Sequence, residues 1–374
     1  MRKLILSAGL LLLAAAAFCQ NPIQYLFIGT NTDAKDAGIQ VYRFNPNKGE
    51  ATFLNKVETG YATYLAVSKD QKYVYAVNEY PGGADGDVSA FSLDKTKGVL
   101  TFLNKQSTGG PSPCYVSVDQ SGKNVVVSNY AGGNIAVFKT GQDGTVQPAV
   151  QTLGHEGYGV NVTRQEMPHP HSVVFSPDEQ YLFSADLGND RVYKYKFNAA
   201  DAKTPLTDGD PQYYSVPDGF GPRHIVFHPN KQFAYVINEL SGKVIAYQYN
   251  NGQLTEIQTI DAAKTGDKND MGSAAIQLTP DGKFLYASNR GKANDIAIYK
   301  TSSDGKLIEV GHQAVGAHPR AFMVDPTGRF LLVANRDSNN VQVFIINRNY
   351  GLLEATGITI AVNKPMFLAM TPIK

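Results

Sequence analysis

The sequence predicts an all-β protein, a seven-bladed β-propeller of four-stranded antiparallel blades whose ring closes by joining the C-terminal strand to the N-terminal blade. Three observations carry this. A strand–turn–strand unit recurs about every 50 residues, the spacing of propeller blades. The interval inside that unit is constant. The two ends of the chain hold complementary fragments of one more copy.

The unit is visible at residues 64–80, 115–131, 172–188, 224–240, 275–291 and 321–337. Each copy has an apolar strand, a turn bearing pairs such as Pro280-Asp281 or Pro326-Thr327, and a second strand ending in Asn or Asp. Pro, Asp and Gly are the residues that supply type I and II turn dihedrals. A third strand follows, as at Val88–Phe91, Ile135–Phe138 and Val244–Tyr247, and a fourth begins after a glycine turn, as at Gly98 or Gly252. Length varies only in these outer strands and loops. The seventh copy is split: Tyr25–Asn31 reads as its second strand, Gly38–Tyr42 as its third and Pro365–Thr371 as its first. Joining them leaves no open sheet edge. With no Trp in the chain, the WD-dipeptide type of propeller is disfavoured.

Residues 1–19 read as a signal peptide and 20–374 as the single propeller domain. Arg2 and Lys3 precede an apolar run from Leu4 to Ala17, too short and wrongly flanked for a membrane span. Cleavage after Ala17 or Cys19 fits. Cys19 also admits lipidation, against which the bulky Phe18 speaks. The expected location is periplasmic or secreted. Once the leader is removed, Cys114 is left without a partner for a disulfide, so stability rests on core burial. A net charge of +1 without blocks of like charge points away from nucleic acid and anionic membranes.

In a propeller blade the first strand lies nearest the central channel, and its start meets the end of the second strand at one mouth. Repeat alignment therefore yields two rings of equivalent positions. The first comprises Thr63, Cys114, His171, Arg223, Ala274, Arg320 and Met366; the second comprises Thr32, Glu79, Tyr130, Leu187, Glu239, Arg290 and Arg336. Pro precedes the first ring repeatedly (Pro113, Pro170, Pro222, Pro319, Pro365) and fixes the strand entry. The Asn that ends strand two is read as structural, its amide bonding turn backbone. The fold demands nothing so polar as His171, Arg223, Glu239, Arg290, Arg320 and Arg336 on one sector of a rim. Singly, such charges form surface pairs worth little. Together at a concave mouth they indicate an anion-binding or catalytic pocket. His169 stands just outside the ring, His155 lies in a glycine-rich loop (154–159) placed to fold over the site, and His224 and His228 read as packing or turn residues. No His, Cys or Asp pattern has metal-ligand spacing, so no metal and no cofactor is expected.

At these residues the chain resembles the lactonase propeller family, which includes bacterial 6-phosphogluconolactonases and the carboxymuconate-lactonizing enzyme of fungi. The matching motifs are His169-Pro-His171, Gly221-Pro-Arg-His224, Asn238-Glu239, Ser288-Asn-Arg290 and His318-Pro-Arg320. The resemblance implies a metal-independent sugar (phospho)lactonase acting on a small-molecule sugar lactone or carboxylate, with His171, Glu239, Arg223 and Arg290 catalytic. His169, Arg320 and Arg336 are the expected substrate contacts. Either His171 or Glu239 serves as general base, Arg223 and Arg290 stabilise the oxyanion, and Arg320 grips a distant phosphate or carboxylate. Arg223→Met is expected to cost activity with little change in the thermal transition. Two other readings stand beside this one: an exported propeller that binds an anionic glycan or protein partner without chemistry, and a muconate-type cycloisomerase. Oligomeric state is not legible.

Overall fold

The computed structural model describes residues 21–33, 37–264 and 272–373, so the signal-peptide reading falls outside the described residues. Those residues form seven separate four-stranded antiparallel sheets and no helix. Blade 1 combines the two ends of the chain: Pro365–Pro372 pairs with Gln24–Thr30, followed by Ile39–Asn45 and Glu50–Val57. Blades 2 to 7 span residues 62–111, 113–154, 170–215, 222–261, 273–314 and 319–361. The innermost strand of each blade packs against that of the next in cyclic order. Pro365–Pro372 lies between Pro319–Val324 and Ala62–Val67 and so closes the ring.

The core lies between blades. One apolar cluster fills each of the seven junctions, for example Phe27, Val74 and Phe91 between blades 1 and 2, and Tyr235, Leu285 and Tyr299 between blades 5 and 6. A second strand is therefore covered on both faces, and Asn124–Asn129 and Phe233–Asn238 are buried throughout. That is why these strands read as unbroken apolar runs. Outer strands such as Gln253–Asp261 are mostly open instead, with Leu254 alone buried.

A latch between neighbouring blades recurs at the glycine turn between strands three and four. Gly305 adopts φ +82°, and a Cβ there would stand 2.3 Å from the Phe233 ring of the preceding blade. Tyr235 of that same blade donates its hydroxyl to the Gly305 carbonyl at 2.9 Å. Tyr75 and Tyr286 make the equivalent bond to Gly144 and Gly351.

The feature that positions the site is a β-bulge at the start of every innermost strand. Pro113, Pro170, Pro222 and Pro319 pair with the Asn or Asp that ends strand two, and the register then skips one residue: Cys114, His171, Arg223 and Arg320. Thr63 and Met366 are skipped likewise, and in blade 6 the irregularity spans Ala274 and Ala275. A bulge leaves one side chain out of the alternation and re-aims it. The first ring of the sequence is thus the set of bulged residues.

The second ring is tied to it by backbone. Glu79, Tyr130, Leu187, Glu239, Arg290 and Arg336 each donate their N–H to the carbonyl two residues before the bulge, at 2.8–3.0 Å. In blade 1 this bond comes from Asn31, not from Thr32, which repeat alignment placed in the ring. The cause is Thr30, which takes the strand-end position held by Asn or Asp elsewhere and so removes the marker that sets the register. Three strand-end amides bond the preceding loop: Asn78 donates to Thr59 Oγ1, Asn129 to the Thr108 carbonyl and Asn289 to the Ala262 carbonyl, at 2.7–2.8 Å, whereas Asn238 and Asn335 donate forward to the Lys243 carbonyl and Asn340 Oδ1.

Candidate active site

Glu239 is the centre of the site. It follows the strand-end Asn238 of blade 5, is almost wholly buried, and accepts from three guanidinium groups. Arg223 Nε reaches Oε2 at 2.9 Å, Arg290 Nη2 reaches the same oxygen at 2.7 Å, and Arg164 Nη2 reaches Oε1 at 2.7 Å. Burial alone would raise the Glu239 pKa, but Arg290 and Arg223 outweigh it and hold the carboxyl well below the usual range. Glu239 is thus an ionised carboxylate that orients three cations.

Arg223, the bulged residue of blade 5, is among the largest fully buried side chains. Its Nη1 donates to the Ala274 carbonyl at 2.6 Å and lies 3.1 Å from His224 Nε2. Burial, with Arg290 and Arg320 adding repulsion, brings the guanidinium down to about 9, so it is still charged at neutral pH. Arg290 is fixed by a second bond, Nε to the Gly272 carbonyl at 2.9 Å.

His171, the bulged residue of blade 4, is buried on the adjacent wall. Its Nδ1 lies 3.6 Å from Cys114 Sγ, and its ring meets those of Tyr130 and His224 edge-on, with centroids 5.2 and 5.5 Å away. Burial and then the Arg223 charge hold its pKa well below 6.5, so the imidazole is neutral. Burial and Glu79 push the Cys114 thiol up to about 12, so it keeps its proton.

The remaining sequence candidates take other places. Tyr130 stacks on His169, with centroids 4.4 Å apart. The His169 backbone N–H donates to Asp186, and its Nδ1–H donates to the Tyr130 carbonyl at 2.9 Å. It braces Tyr130, and its Nε2 lies 3.4 Å from Glu166 Oε1. Arg336 forks onto its neighbour Asp337, with Nε 2.7 Å from Oδ1, and joins none of the bonds around Glu239. Arg320 comes closest to Glu79, at 3.9 Å, and reaches it across blade 1. His155 is sealed from solvent, bonded to Asp186 at 2.6 Å and stacked on Tyr193. It anchors the loop and does not cap the site. His228 holds its turn by accepting from the Asn230 N–H at Nδ1 and reaches the Gly282 carbonyl of the next blade through Nε2, while His224 stands in the channel wall against Arg223.

Arg164 escaped the sequence reading because it belongs to neither ring. The 155–169 connection between blades 3 and 4 carries it over Glu239, where Nη2 also reaches Tyr130 Oη at 3.2 Å. Gln165, fully buried, pins that loop to the Leu187 carbonyl. The available signal was length, since a connection of this size without secondary structure is usually functional.

Below the polar cluster, Tyr64, Tyr115 and Phe367 cross the channel as a stack. The Tyr64 ring lies 3.7 Å from Phe367 and 4.0 Å from Tyr115. Beneath it, the opposite mouth holds a largely apolar cavity of about 500 Å³ lined by Phe227, Phe322 and Gln277 among others. No group of three or more His, Cys, Asp or Glu among the described residues is placed to hold a metal ion.

A family model described as lactonase, 7-bladed β-propeller, matches residues 25–370. The chain belongs to the seven-bladed propeller lactonase family. Within that family, it is 39% identical to a 6-phosphogluconolactonase of Formosa agariphila, over 92% of this chain and 99% of the relative. A Bacteroides fragilis structure described as a candidate 6-phosphogluconolactonase is 43% identical with a TM-score of 0.91, covering 94% of this chain and 99% of the other. The periplasmic gluconolactonase of Pseudomonas aeruginosa is 34% identical with a TM-score of 0.89, covering 94% and 100%.

Proposed function

We propose that this propeller lactonase hydrolyses the ring ester of a sugar lactone at the mouth lined by His171, Arg223, Glu239 and Arg290. The observation that carries the proposal is the pairing of a neutral, buried imidazole with three guanidinium groups preorganised on one carboxylate. Ester opening needs a water made nucleophilic and a developing oxyanion stabilised. Glu239, saturated by arginines, is a poor proton acceptor, and this favours His171 as the base. The Cys114 thiol hydrogen has the Pro170 and His171 carbonyls 3.6 Å away to bond. Sγ then accepts from Nδ1–H and leaves the Nε2 lone pair for a water. Arg223 and Arg290 are fixed before the substrate arrives, so they stabilise the tetrahedral oxyanion without reorganising.

The similar proteins divide on phosphate: relatives are named for a phosphorylated lactone, one structural neighbour for an unphosphorylated one. A working place outside the cytoplasm, supported by the leader Arg2-Lys3 and the apolar run to Ala17, favours an unphosphorylated or carboxylated sugar lactone. The test is lactone opening by the purified protein on 6-phosphogluconolactone, glucono-δ-lactone and glucuronolactone, with spontaneous hydrolysis subtracted and EDTA as a control. Turnover that resists EDTA and vanishes in His171→Gln supports the proposal; no turnover on any of the three overturns it.

A further inference from the structure

We infer that Thr63, Glu79 and Arg320 form a second subsite that reads adjacent hydroxyl groups of the bound sugar, and that this subsite does not hold a phosphate or carboxylate. The inference rests on the site reading above and names what the other wall of the same mouth recognises. Sequence alone had assigned Arg320 to a distant anion.

Two buried polar atoms on this wall have no hydrogen-bond partner. Thr63 is 3% exposed, yet its Oγ1 is unsatisfied, and Glu79 Oε2 is in the same condition. Leaving such atoms unpaired costs stability, about 1–3 kcal/mol each in general, so an empty pair at a channel mouth marks a place that a ligand completes. Thr63 occupies the bulge position in blade 2 that His171 and Arg223 occupy in blades 4 and 5, which aims it at the same mouth. Arg320 supplies the third group. Its nearest carboxylate oxygen is Glu79 Oε2 at 3.9 Å, too long for a hydrogen bond, so its fork is not committed as those of Arg223 and Arg290 are.

Charge then decides the ligand class. On the Glu239 wall, Arg164, Arg223 and Arg290 face one carboxylate, leaving an excess of positive charge for an oxyanion. On the opposite wall one cation faces one carboxylate. An incoming anion would gain Arg320 and meet Glu79 as a like charge. A pair of neighbouring hydroxyls fits better: both donate to the Glu79 carboxylate, one accepts from Arg320, and Thr63 Oγ1 closes the ring as donor or acceptor.

The experiment measures binding, so that it stands apart from turnover. D-gluconate carries a carboxylate and a run of hydroxyls; hexanoate carries the carboxylate alone. Titration calorimetry of the wild-type protein with each is expected to show gluconate bound more tightly. Thr63→Val and Glu79→Gln are each expected to weaken gluconate about tenfold and leave hexanoate unchanged. Thr63→Val exchanges near-isosteric groups and removes an unpaired hydroxyl, so the ligand-free variant is expected to melt slightly higher than wild type. That variant alone decides the matter if Glu79→Gln does not fold. Variants that bind gluconate as wild type does, or a wild type that binds gluconate no better than hexanoate, overturn the subsite. Selective gluconate binding without turnover of any of the three lactones keeps the subsite and sinks the hydrolase reading instead.

Discussion

Arg223 donates its Nε to Oε2 of Glu239 across 2.9 Å, and both side chains are 2–5% exposed. A rim charge pair in water is worth little, but a buried one behaves differently when a single partner is removed. Glu239→Gln keeps the shape and deletes the charge that holds three guanidinium groups together. The expected result is loss of about 3–5 kcal/mol of stability together with activity. Arg223→Met is revised by the same burial. Because Nη1 also serves the Ala274 carbonyl, the thermal transition is expected to fall along with turnover. A Glu239→Gln protein that melts with wild type in a calorimetric scan would mean that the three arginines do not depend on its charge.

Arg164 arrives on the long connection between blades 3 and 4, and its side chain is 41% exposed. Its loop is held by Gln165 and His155, not by Arg164 itself. Arg164→Gln is therefore expected to leave the melting temperature within a degree or two of wild type. Kinetically, it removes one charge facing the substrate while Arg223 and Arg290 keep Glu239 in place. The expected signature is KM for a negatively charged lactone raised about tenfold, with kcat changed much less, the pattern of lost ground-state binding. Equal losses in KM for charged and uncharged lactones would show that Arg164 acts by holding the loop.

How much of this was legible beforehand follows from what each feature rests on. The ring and its seven junction cores are written in repeat spacing, because each blade must present the same apolar second strand to two neighbours. His171, Arg223, Glu239 and Arg290 were legible for the same reason: a residue that breaks the repeat at a fixed register stands out. The bulges were not legible, since a skipped residue leaves sequence spacing untouched; only pairing such as Pro222 with Asn238 and His224 with Ile237 reveals one. Arg164 was invisible because it lies in a connection without counterpart in other blades. Pro168-His-Pro-His171 offers two histidines, and only pairing shows that the second is the bulged one while the first stacks on Tyr130. Thr32 misled because Thr30 took the place of the usual Asn.

The pH dependence separates His171 from Glu239 as the base. Burial and Arg223 disfavour the imidazolium, so the folded His171 gives up its proton well below 6.5. With His171 as base, kcat/KM is expected to stay level from pH 8 down to about 6 and to fall only deeper in acid. An acid limb centred at 6.5 or above would remove His171 from that role. Stability carries the same sign. The unfolded chain takes up protons on His171 and His224 below about 6.5 that the folded chain refuses, because both are buried beside Arg223. Folding is thus expected to weaken below that pH by up to about 1.4 kcal/mol per pH unit for each imidazole. Thermal scans from pH 8 to 5 check this; a melting temperature that does not move over that range would contradict neutral burial.

The inter-blade latch makes a prediction that is independent of chemistry at the mouth. Gly305 sits at φ +82° between the third and fourth strands of blade 6, a conformation L side chains rarely adopt. Its would-be Cβ also falls 2.3 Å from Phe233, whose ring is packed at the junction with blade 5. Gly305→Ala must therefore strain the turn and displace that ring, and neither relaxes without disturbing the Tyr235 bond to the Gly305 carbonyl. The two penalties together are expected to cost about 2–4 kcal/mol. Gly122, with φ +69° but nothing within 4 Å of a Cβ, isolates the backbone part. Gly122→Ala is expected to lose only about 1 kcal/mol. Urea melts of the two variants side by side check the difference. If they lose the same amount, the close approach of Phe233 contributes nothing and the latch is only a turn.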